Sequence, residues 1–387
     1  MASWRIPLFE ACFGPEEEEA ILRPLRAGWL TMGDEVLRLE EELCAASGAR
    51  HAVAVSSCTA ALQLACVALG VGPGGSVICP ALTFVAPANA AVTLGAAVRF
   101  CESIGDDDLT VDPDAVAALG DERTQAIIAV HYAGFACRMD KLLAVARAQG
   151  IPIIEDCAHA LFTTYQGTTL GLHGRVGCFS FFSNKNATCG EGGALLTDDA
   201  VLADELRRLR SHGMTSPTLE RHRGLAQGYD VLVPGYNYRM DEVRAALLRV
   251  QLRRLPEFLR RRRILYAYYA ERLSQTPVRL PFTSSDRRAE YPNTGIHIVP
   301  ALLPAGADRL AVAGRLKTEG IQTSIHYPPV HTFTAYRKLG STRSLRLPKT
   351  ESLSARELTL PLYPGMTERD VDTVVDALVA AVKASGS

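Results

Sequence analysis

An alternation of short apolar runs with helical segments between His51 and Arg210 constrains the fold more than any other feature of the chain. Runs such as 76–80 and 125–132 are almost continuously apolar, which is typical of strands buried on both faces of a sheet. Segments with helical periodicity, such as 139–149, separate these runs. Strands that alternate with helices in this way predict an α/β fold with a mostly parallel sheet.

The predicted elements extend beyond this region on both sides. Glu16 to Glu19 place acidic side chains in the first turn of an N-terminal helix, where they suit the helix dipole. A long helix is predicted from Asp241 to Leu273, with a kink at Pro256. After Pro281 the pattern predicts a compact α+β segment, with strands at 296–302 and 321–327 and helices at 307–319 and 368–383.

We therefore predict two domains with their boundary inside the long helix. Residues 1–245 form an N-terminal arm and a large α/β domain, and residues 246–387 form the linking helix and a small C-terminal α+β domain. A length of 387 residues agrees with more than one domain.

Composition argues against several classes of partner. Lys and Arg number 41 against 42 Asp and Glu, so the broad basic surface of a nucleic-acid binder is not expected. No apolar run reaches about 18 residues, and the N-terminus lacks the pattern of a signal peptide. The ten cysteines contain no C-x-x-C pair, which favours buried, reduced thiols. We expect a cytoplasmic protein that binds neither nucleic acid nor membrane.

Two segments at predicted strand ends carry groups suited to a ligand with an anionic group and a cationic ring. Ser56-Ser57-Cys58-Thr59 lies between a strand and a helix, where first-turn N–H groups and hydroxyls can bind an anion or merely cap the helix. Asp156 ends an apolar strand at the edge where open α/β sheets bind ligands. Its carboxylate can hold a cationic ring nitrogen or serve as a helix N-cap.

Lys185 completes this set of groups. It follows an apolar strand end and precedes the turn Gly190-Glu191-Gly192-Gly193. Burial disfavours an ammonium, lowers its pKa and makes the amine a usable nucleophile, although a structural or exposed lysine is an alternative. An anion cradle, an acid and a nucleophilic lysine are the groups that pyridoxal 5′-phosphate requires.

With these segments the chain resembles the DegT/StrS-type sugar aminotransferases, which are fold type I pyridoxal-phosphate enzymes. The resemblance runs nearly end to end and is carried by Gly28-Trp29-Leu30-Thr31, Ser57-Cys58-Thr59-Ala60-Ala61, Glu155-Asp156-Cys157-Ala158-His159, Ser180-Phe181-Phe182-Ser183-Asn184-Lys185-Asn186, Gly190-Glu191-Gly192-Gly193, Gly235-Tyr236-Asn237-Tyr238-Arg239-Met240 and His326-Tyr327-Pro328-Pro329. It implies a large domain with a mostly parallel mixed sheet and a smaller C-terminal α+β domain.

The resemblance also implies roles for individual residues. The catalytic ones are Lys185 as the Schiff-base lysine, Asp156 as the partner of the pyridinium nitrogen, and His159 as a contact of the ring or its phenolic oxygen. Further residues are expected to hold the cofactor: Ser57, Cys58, Thr59 and Ser180 at the phosphate, Phe84 on the ring face unless it is a core residue, and Asn237 from the neighbouring subunit of a homodimer. Candidate substrate residues are Trp29, Thr31, Arg239 and His326, where Arg239 is an equal candidate for a structural ion pair.

One position departs from the family, because Cys58 stands where glycine is usual. A positive φ there would strain a cysteine, whereas a site that needs only the N–H would tolerate it. We favour the second interpretation because Ser57 and Thr59 are retained. His326 and His331 lack an evident third ligand, so we expect no metal.

The implied reaction moves the amino group of L-glutamate to a nucleotide-linked 4-keto-6-deoxy sugar, with dTDP as the expected nucleotide, in amino-sugar biosynthesis. His159, where relatives often carry Gln, favours C4 over C3 amination. The alternatives are amination at C3 of a 3-keto sugar, amination of a cyclitol ketone, or a non-catalytic pyridoxal-phosphate-binding regulatory protein. Sugar dehydratases of this fold replace the lysine by histidine, and the presence of Lys185 argues against that activity.

Overall fold

A computed structural model describes residues 4–216, 219, 222–225, 228–340 and 342–385 of the chain. The strands are β1 (His51–Val55), β2 (Ser76–Pro80), β3 (Ala97–Cys101), β4 (Ser103–Gly105), β5 (Asp108–Val111), β6 (Thr124–Val130), β7 (Ile153–Asp156), β8 (Thr164–Tyr165), β9 (Thr168–Thr169), β10 (Val176–Ser180), β11 (Gly193–Thr197), β12 (Val299–Leu302) and β13 (Glu357–Leu360).

The described helices are α1 (Pro15–Ala27), α2 (Asp34–Ser47), α3 (Cys58–Ala68), α4 (Ala86–Val92), α5 (Pro113–Leu119), α6 (Met139–Gln149), α7 (Ala200–Arg210), α8 (Glu242–Leu273), α9 (Ser285–Glu290), α10 (Arg309–Thr318), α11 (Thr334–Arg337), α12 (Pro348–Arg356) and α13 (Glu368–Ser385). Short 3-10 turns lie at Tyr132–Gly134, Tyr291–Asn293 and Val330–Thr332.

The main sheet has seven strands in the order β1-β11-β10-β7-β6-β2-β3. Strand β11 is antiparallel to both neighbours, and β10, β7, β6, β2 and β3 are mutually parallel. Because β1 and β10 both run opposite to β11, they share one direction. The predicted mostly parallel α/β sheet is therefore confirmed, and the carboxyl ends of six strands meet at one edge.

Helices cover both faces of this sheet, which explains why its strands read as continuous apolar runs. In β1, Ala52 and Ala54 pack with residues of α2, α6 and α8, whereas Val53 and Val55 pack with residues of α3, α4 and α7. Alternate side chains of one strand thus enter two different cores, so neither face of the sheet is left to solvent.

The C-terminal part is built around a two-stranded antiparallel sheet of β12 and β13, packed with α8, α10 and α13 in a third core. The N-terminal segment joins this part through a parallel bridge between Ile6 and Ile321. Helix α8 runs continuously through Pro256. The domain boundary near residue 245 lies within this helix and stays a prediction.

The predicted strand at 321–327 is wrong. This segment makes only isolated bridges, at Ile321 and Ser324, and the true partner of β12 is β13. Strand β13 was not predicted because two of its buried side chains, Glu357 and Thr359, are polar, and its sequence is therefore not a continuous apolar run. These two side chains hydrogen-bond each other.

The ten cysteines are all free thiols, eight of them buried. No helix among the described residues is both long and apolar enough to cross a bilayer.

Candidate active site

A cavity of ≈ 380 Å³ opens at the edge where the carboxyl ends of the parallel strands meet. This is the position at which open α/β sheets bind ligands. It collects most of the predicted cofactor residues and one predicted substrate residue: Ser57, Cys58, Thr59, Phe84, Asp156, His159, Ser180, Lys185 and His326.

The N-terminus of α3 forms one wall of the cavity. Ser57 caps the helix, because its Oγ accepts the Ala60 N–H at 3.1 Å. Strand β11 approaches this turn so closely that a Cβ on Gly193 would lie 2.4 Å from the Ser57 carbonyl carbon. The glycine therefore allows the strand and the helix cap to lie in contact. Ser57 caps the Ala60 N–H, so the Cys58 and Thr59 N–H groups remain at the cavity and form an anion site.

Cys58 occupies the first position of α3 and has no positive φ. The helix start therefore accepts a residue with a Cβ, in line with the interpretation that only the N–H matters there. Its side chain is buried beside the acid of the site, with Sγ 4.0 Å from Oδ1 of Asp156.

Asp156 ends β7 and is only 5% exposed. Burial raises the pKa of its carboxyl group, while the Ala158 N–H, donated to Oδ1 at 3.0 Å, and the nearby Lys185 favour the carboxylate. The described contacts involve Oδ1 and leave Oδ2 available. A buried carboxylate in this position suits a cationic ligand group.

The preceding residue anchors this strand end and was missed by sequence reasoning. Glu155 accepts the N–H groups of Gly171 and Gly174 at 2.8 and 2.6 Å, and it hydrogen-bonds His131 Nε2 at 3.0 Å. A glutamate inside an apolar strand was the available signal, because a buried carboxylate needs partners.

These anchoring residues do not require an ion. His131, Glu155 and Cys157 offer ligand atoms within 4.8 Å of one another. Both ring nitrogens of His131 are already engaged, since Nδ1 accepts the Cys137 N–H at 3.1 Å and Nε2 contacts Glu155. The cluster is satisfied by hydrogen bonds and stabilises the strand that presents Asp156.

Lys185 follows β10 in a turn and directs Nζ into the cavity. Burial lowers the pKa of its ammonium from 10.5 to about 8, an effect that the charge of Asp156 partly opposes. A pKa of about 8 gives this amine a larger neutral fraction at physiological pH than a solvent-exposed lysine has, which makes it a better nucleophile. Its Nζ lies 3.4 Å from His297 Nε2, a residue that the sequence analysis missed.

His159 lies on the same side of the cavity as Tyr327, a residue of the motif His326-Tyr327-Pro328-Pro329 to which the sequence analysis gave no role. Its Nδ1 accepts the Ala133 N–H at 3.3 Å, so Nε2 carries the hydrogen and donates it to the Tyr327 hydroxyl at 2.9 Å. Burial, with the charge of Lys185, holds the pKa of His159 well below its usual value. The ring is neutral, and the Tyr327 hydroxyl hydrogen remains available to the cavity.

Phe84 is 57% exposed and lies at the cavity, with its ring centroid 6.0 Å from that of Tyr327. It is therefore not a core residue. An exposed aromatic face beside Asp156 and Lys185 suits stacking on a planar ligand ring.

Four predicted site residues do not line the cavity of the single described chain. Trp29 and Thr31 lie in the loop before α2, with the Trp29 ring 4.2 Å from that of His222. Asn237 and Arg239 lie on a segment that bridges to Ser211 and Val55, and Asn237 is exposed. A local sequence motif does not show how far a residue lies from the cavity in the fold. The roles of these four residues therefore stay predictions.

The residues at the cavity fit pyridoxal phosphate. The α3 N-terminus with Ser57, Thr59 and Ser180 offers an anion cradle, and Asp156 and Lys185 supply the acid and the amine. In addition, Oδ1 of Asn184 in the cavity wall is buried and has no hydrogen-bond partner among the described residues. An unsatisfied buried acceptor indicates that a ligand group belongs beside it.

Comparisons with known proteins agree with this geometry. The sequence matches the DegT/DnrJ/EryC1/StrS aminotransferase family over residues 11–379. It is 39% identical over 381 residues to the spore coat polysaccharide biosynthesis protein SpsC of Bacillus subtilis, covering 98% of this chain and 97% of SpsC.

Solved structures are similar over almost the whole fold. The aminotransferase TlmJ from Streptoalloteichus hindustanus superimposes with a TM-score of 0.89 at 32% identity, covering 99% of this chain and 100% of TlmJ. Spr1654 of Streptococcus pneumoniae, in its pyridoxamine-phosphate form, superimposes with a TM-score of 0.89 at 28% identity, covering 98% of this chain and 100% of that one.

The fold and the cavity thus define a pyridoxal-phosphate-dependent aminotransferase. Within that class, the chain belongs to the DegT/DnrJ/EryC1/StrS family and is a sugar aminotransferase.

Proposed function

We propose that this enzyme transfers the amino group of L-glutamate to a nucleotide-linked 4-keto-6-deoxy sugar, with dTDP as the nucleotide, in the cytoplasm. The observation that carries the catalytic part is the convergence of Lys185, Asp156 and the α3 N-terminus on one cavity. Support for a sugar acceptor comes from SpsC, which is named for polysaccharide biosynthesis. The donor and the nucleotide rest on the family resemblance.

The central residues of the cavity have distinct parts in this proposal. When bound, pyridoxal phosphate supplies an electron sink for the carbon that loses or gains a proton. Lys185 holds the cofactor and then, as a free amine, carries that proton. Asp156 pairs with the ring nitrogen, and the Cys58 and Thr59 N–H groups bind the phosphate.

The side of the cavity bearing His159 orients the reacting groups. Because His159 donates to the Tyr327 hydroxyl, that hydroxyl keeps its own hydrogen for donation to a ligand oxygen. His326 also lines the cavity, and burial lowers its pKa to about 4, so it is a neutral contact for substrate hydroxyls. His159 favours amination at C4, with amination at C3 or of a cyclitol ketone as alternatives.

The amino donor can be tested without an acceptor. Mixing the purified pyridoxal-phosphate-loaded enzyme with L-glutamate, without an acceptor, should bleach the visible absorption band of the cofactor and release one 2-oxoglutarate per site, because transamination divides into two half-reactions. Stopped-flow absorbance and 2-oxoglutarate assay measure this, with D-glutamate as control. A stable band with every amino acid tested would instead support a non-catalytic regulatory protein.

If L-glutamate bleaches the band, the acceptor follows from the reverse step. Enzyme loaded with pyridoxamine 5′-phosphate is mixed separately with a dTDP-linked 4-keto sugar, a dTDP-linked 3-keto sugar and a cyclitol ketone. The rate at which the visible absorption band recovers is measured for each. We expect the 4-keto-6-deoxy sugar to react fastest. Faster recovery with either alternative would reassign the acceptor without changing the catalytic residues.

We also propose that the active site is shared across a homodimer, with Asn237 reaching the phosphate bound by the other subunit. Asn237 is exposed and lies away from the cavity of its own chain, as a residue that serves a partner must. The exposed apolar side chains of Val231, Leu232 and Val233 precede it closely in the chain and suit burial against a second copy.

Mixed dimers test this sharing of residues. Asn237→Leu and Lys185→Met variants should each be nearly inactive, whereas refolding them together at equal amounts should restore about a quarter of wild-type activity. About half of the dimers are then mixed, and each mixed dimer has one site with both native residues. Activity of the mixture no higher than that of either variant alone would show that Asn237 does not act across the interface.

A further inference from the structure

The Lys185 amine contacts His297, a residue to which the chemistry above gives no role. Its Nε2 lies 3.4 Å from Nζ of Lys185, and its side chain is only 4% exposed. The backbone of His297 is held on both sides, since its N–H donates to the Ala133 carbonyl at 2.9 Å and its carbonyl accepts from Arg262 at 3.1 Å. The imidazole therefore has a fixed position beside the lysine.

Asn186 determines which nitrogen of this ring carries the hydrogen. Its Nδ2 donates to the carbonyls of Gly295 and Ile296 at 2.8 and 3.3 Å, which fixes the orientation of the amide. Its Oδ1 consequently faces His297 Nδ1 at 3.3 Å. An amide oxygen only accepts, so Nδ1 bears the hydrogen and Nε2 presents a lone pair to Lys185.

The ring keeps this lone pair near neutral pH. Burial, reinforced by the charge of Lys185, holds the pKa of His297 well below its usual value. His159 cannot accept a hydrogen bond from Lys185 in the same way, because its Nδ1 already accepts the Ala133 N–H and its Nε2 is bonded to Tyr327.

We propose that His297 is a positioning residue that holds the free amine of Lys185 by accepting a hydrogen bond at Nε2, with Asn186 fixing the tautomer. The proposal rests on the proposed function, since Lys185 has to be the cofactor lysine. The amine is free whenever the amino group resides on the cofactor or substrate. That is the stage at which Lys185 must be aimed at the carbon whose proton it moves.

The hydrogen bond also affects the charge of the amine. An acceptor stabilises an ammonium more than a neutral amine, so His297 acts against the burial that lowers the pKa of Lys185. The other groups that face Nζ are Asp156 at the end of β7, Cys58 at the start of α3, and His159 and His326. These stay unchanged when only His297 is replaced.

Two substitutions of His297 with similar polarity distinguish a role in positioning the Lys185 amine from a role in packing alone. In His297→Gln the amide oxygen can reach the place of Nε2, whereas the shorter side chain of His297→Asn reaches only the place of Nδ1. Each full-length protein is loaded with pyridoxamine 5′-phosphate, which leaves Lys185 free. Competitive acetylation with acetic anhydride across pH, read by peptide mass spectrometry against exposed Lys141, gives the apparent pKa of Lys185.

We expect His297→Asn to lower that pKa by about one unit and His297→Gln to leave it nearly unchanged, because a hydrogen bond to a charged group is lost only in the first. We also expect kcat to fall about tenfold in His297→Asn with the KM for the donor retained. Equal pKa values in the wild type and both variants would overturn the positioning role.

Two controls keep this result interpretable. Loading with pyridoxal 5′-phosphate should protect Lys185 from acetylation in all three proteins, and failure of protection in the wild type would refute the proposed function rather than the role of His297. If His297→Asn does not fold, Asn186→Leu provides the test with His297 intact. Loss of the Oδ1 acceptor frees the tautomer, so the pKa of Lys185 must again fall, and an unchanged value would overturn the proposal.

Discussion

Replacement of Lys185 by methionine is expected to abolish transamination while making the cofactor-free protein more stable. Activity should fall at least about a thousandfold, because both the nucleophile and the proton carrier are lost. Methionine has nearly the same length and shape as lysine but no charge. The visible band of added pyridoxal phosphate should shift to that of the free aldehyde, and steady-state assays with the identified donor measure the loss.

The gain in stability follows from the position of the amine. Burial lowers the pKa of Lys185 from 10.5 to about 8, so at pH 7 the folded chain holds an ammonium where a neutral group is preferred. This pKa shift corresponds to a loss of about 2 kcal/mol in folding free energy, a value reduced to allow for screening by water in the open cavity. Lys185→Met should therefore raise the melting temperature of the cofactor-free protein at pH 7.

The stability difference between the wild type and Lys185→Met should depend on pH in a defined direction. Between pH 8 and 10.5 the unfolded chain binds the proton and the folded chain does not, so wild-type stability rises with pH relative to Lys185→Met. The difference in melting temperature should shrink over this range. Lys141→Met, at an exposed lysine of α6, is the matched control and should change neither activity nor the pH trend. Near-normal turnover by Lys185→Met would refute the role of this lysine.

Several of the groups that sequence analysis assigned to the site lie at or directly after a strand end. Asp156 and Ser180 end β7 and β10, and Ser57 follows β1. Parallel strands carry their carboxyl ends to one edge, so local patterns favoured one shared site for Asp156 and the segment 56–59. The same reasoning holds for Lys185, which follows β10 within a turn. Ser180 was assigned to that site by the family resemblance.

The residues that sequence analysis missed act across long separations without a local pattern. His297 contacts Lys185 over 112 positions, from a segment whose neighbours read as the start of an ordinary strand. Its tautomer depends on Asn186 and on two backbone carbonyls that only the fold brings together. By contrast, Glu155 is visible in the sequence as a charged residue in an apolar strand, and a buried carboxylate needs hydrogen-bond partners, so a local signal for this anchor exists.

Replacement of Asp156 by asparagine is the second change with a large expected effect. The new amide would keep the shape of the carboxylate and could still accept the Ala158 N–H at the place of Oδ1, so the chain should fold and bind pyridoxal phosphate. It would lose the negative charge that pairs with the ring nitrogen. Asp156 would keep the ring nitrogen of a bound cofactor protonated, and without it the electron-withdrawing chemistry that the cofactor supplies would be weaker.

The size of the effect follows from the burial of the pair. Breaking a buried charge pair costs about 3–5 kcal/mol, and each 1.4 kcal/mol changes a rate tenfold, so kcat should fall roughly 100- to 4000-fold. Asp114→Asn removes the same charge at an exposed position of α5 and should leave kcat unchanged. The half-reaction with donor, followed by stopped-flow absorbance, measures the loss separately from acceptor binding. If Asp156→Asn bleaches within about threefold of the wild-type rate, the ring nitrogen does not depend on this carboxylate, and the electron-sink role assigned to the pair is wrong.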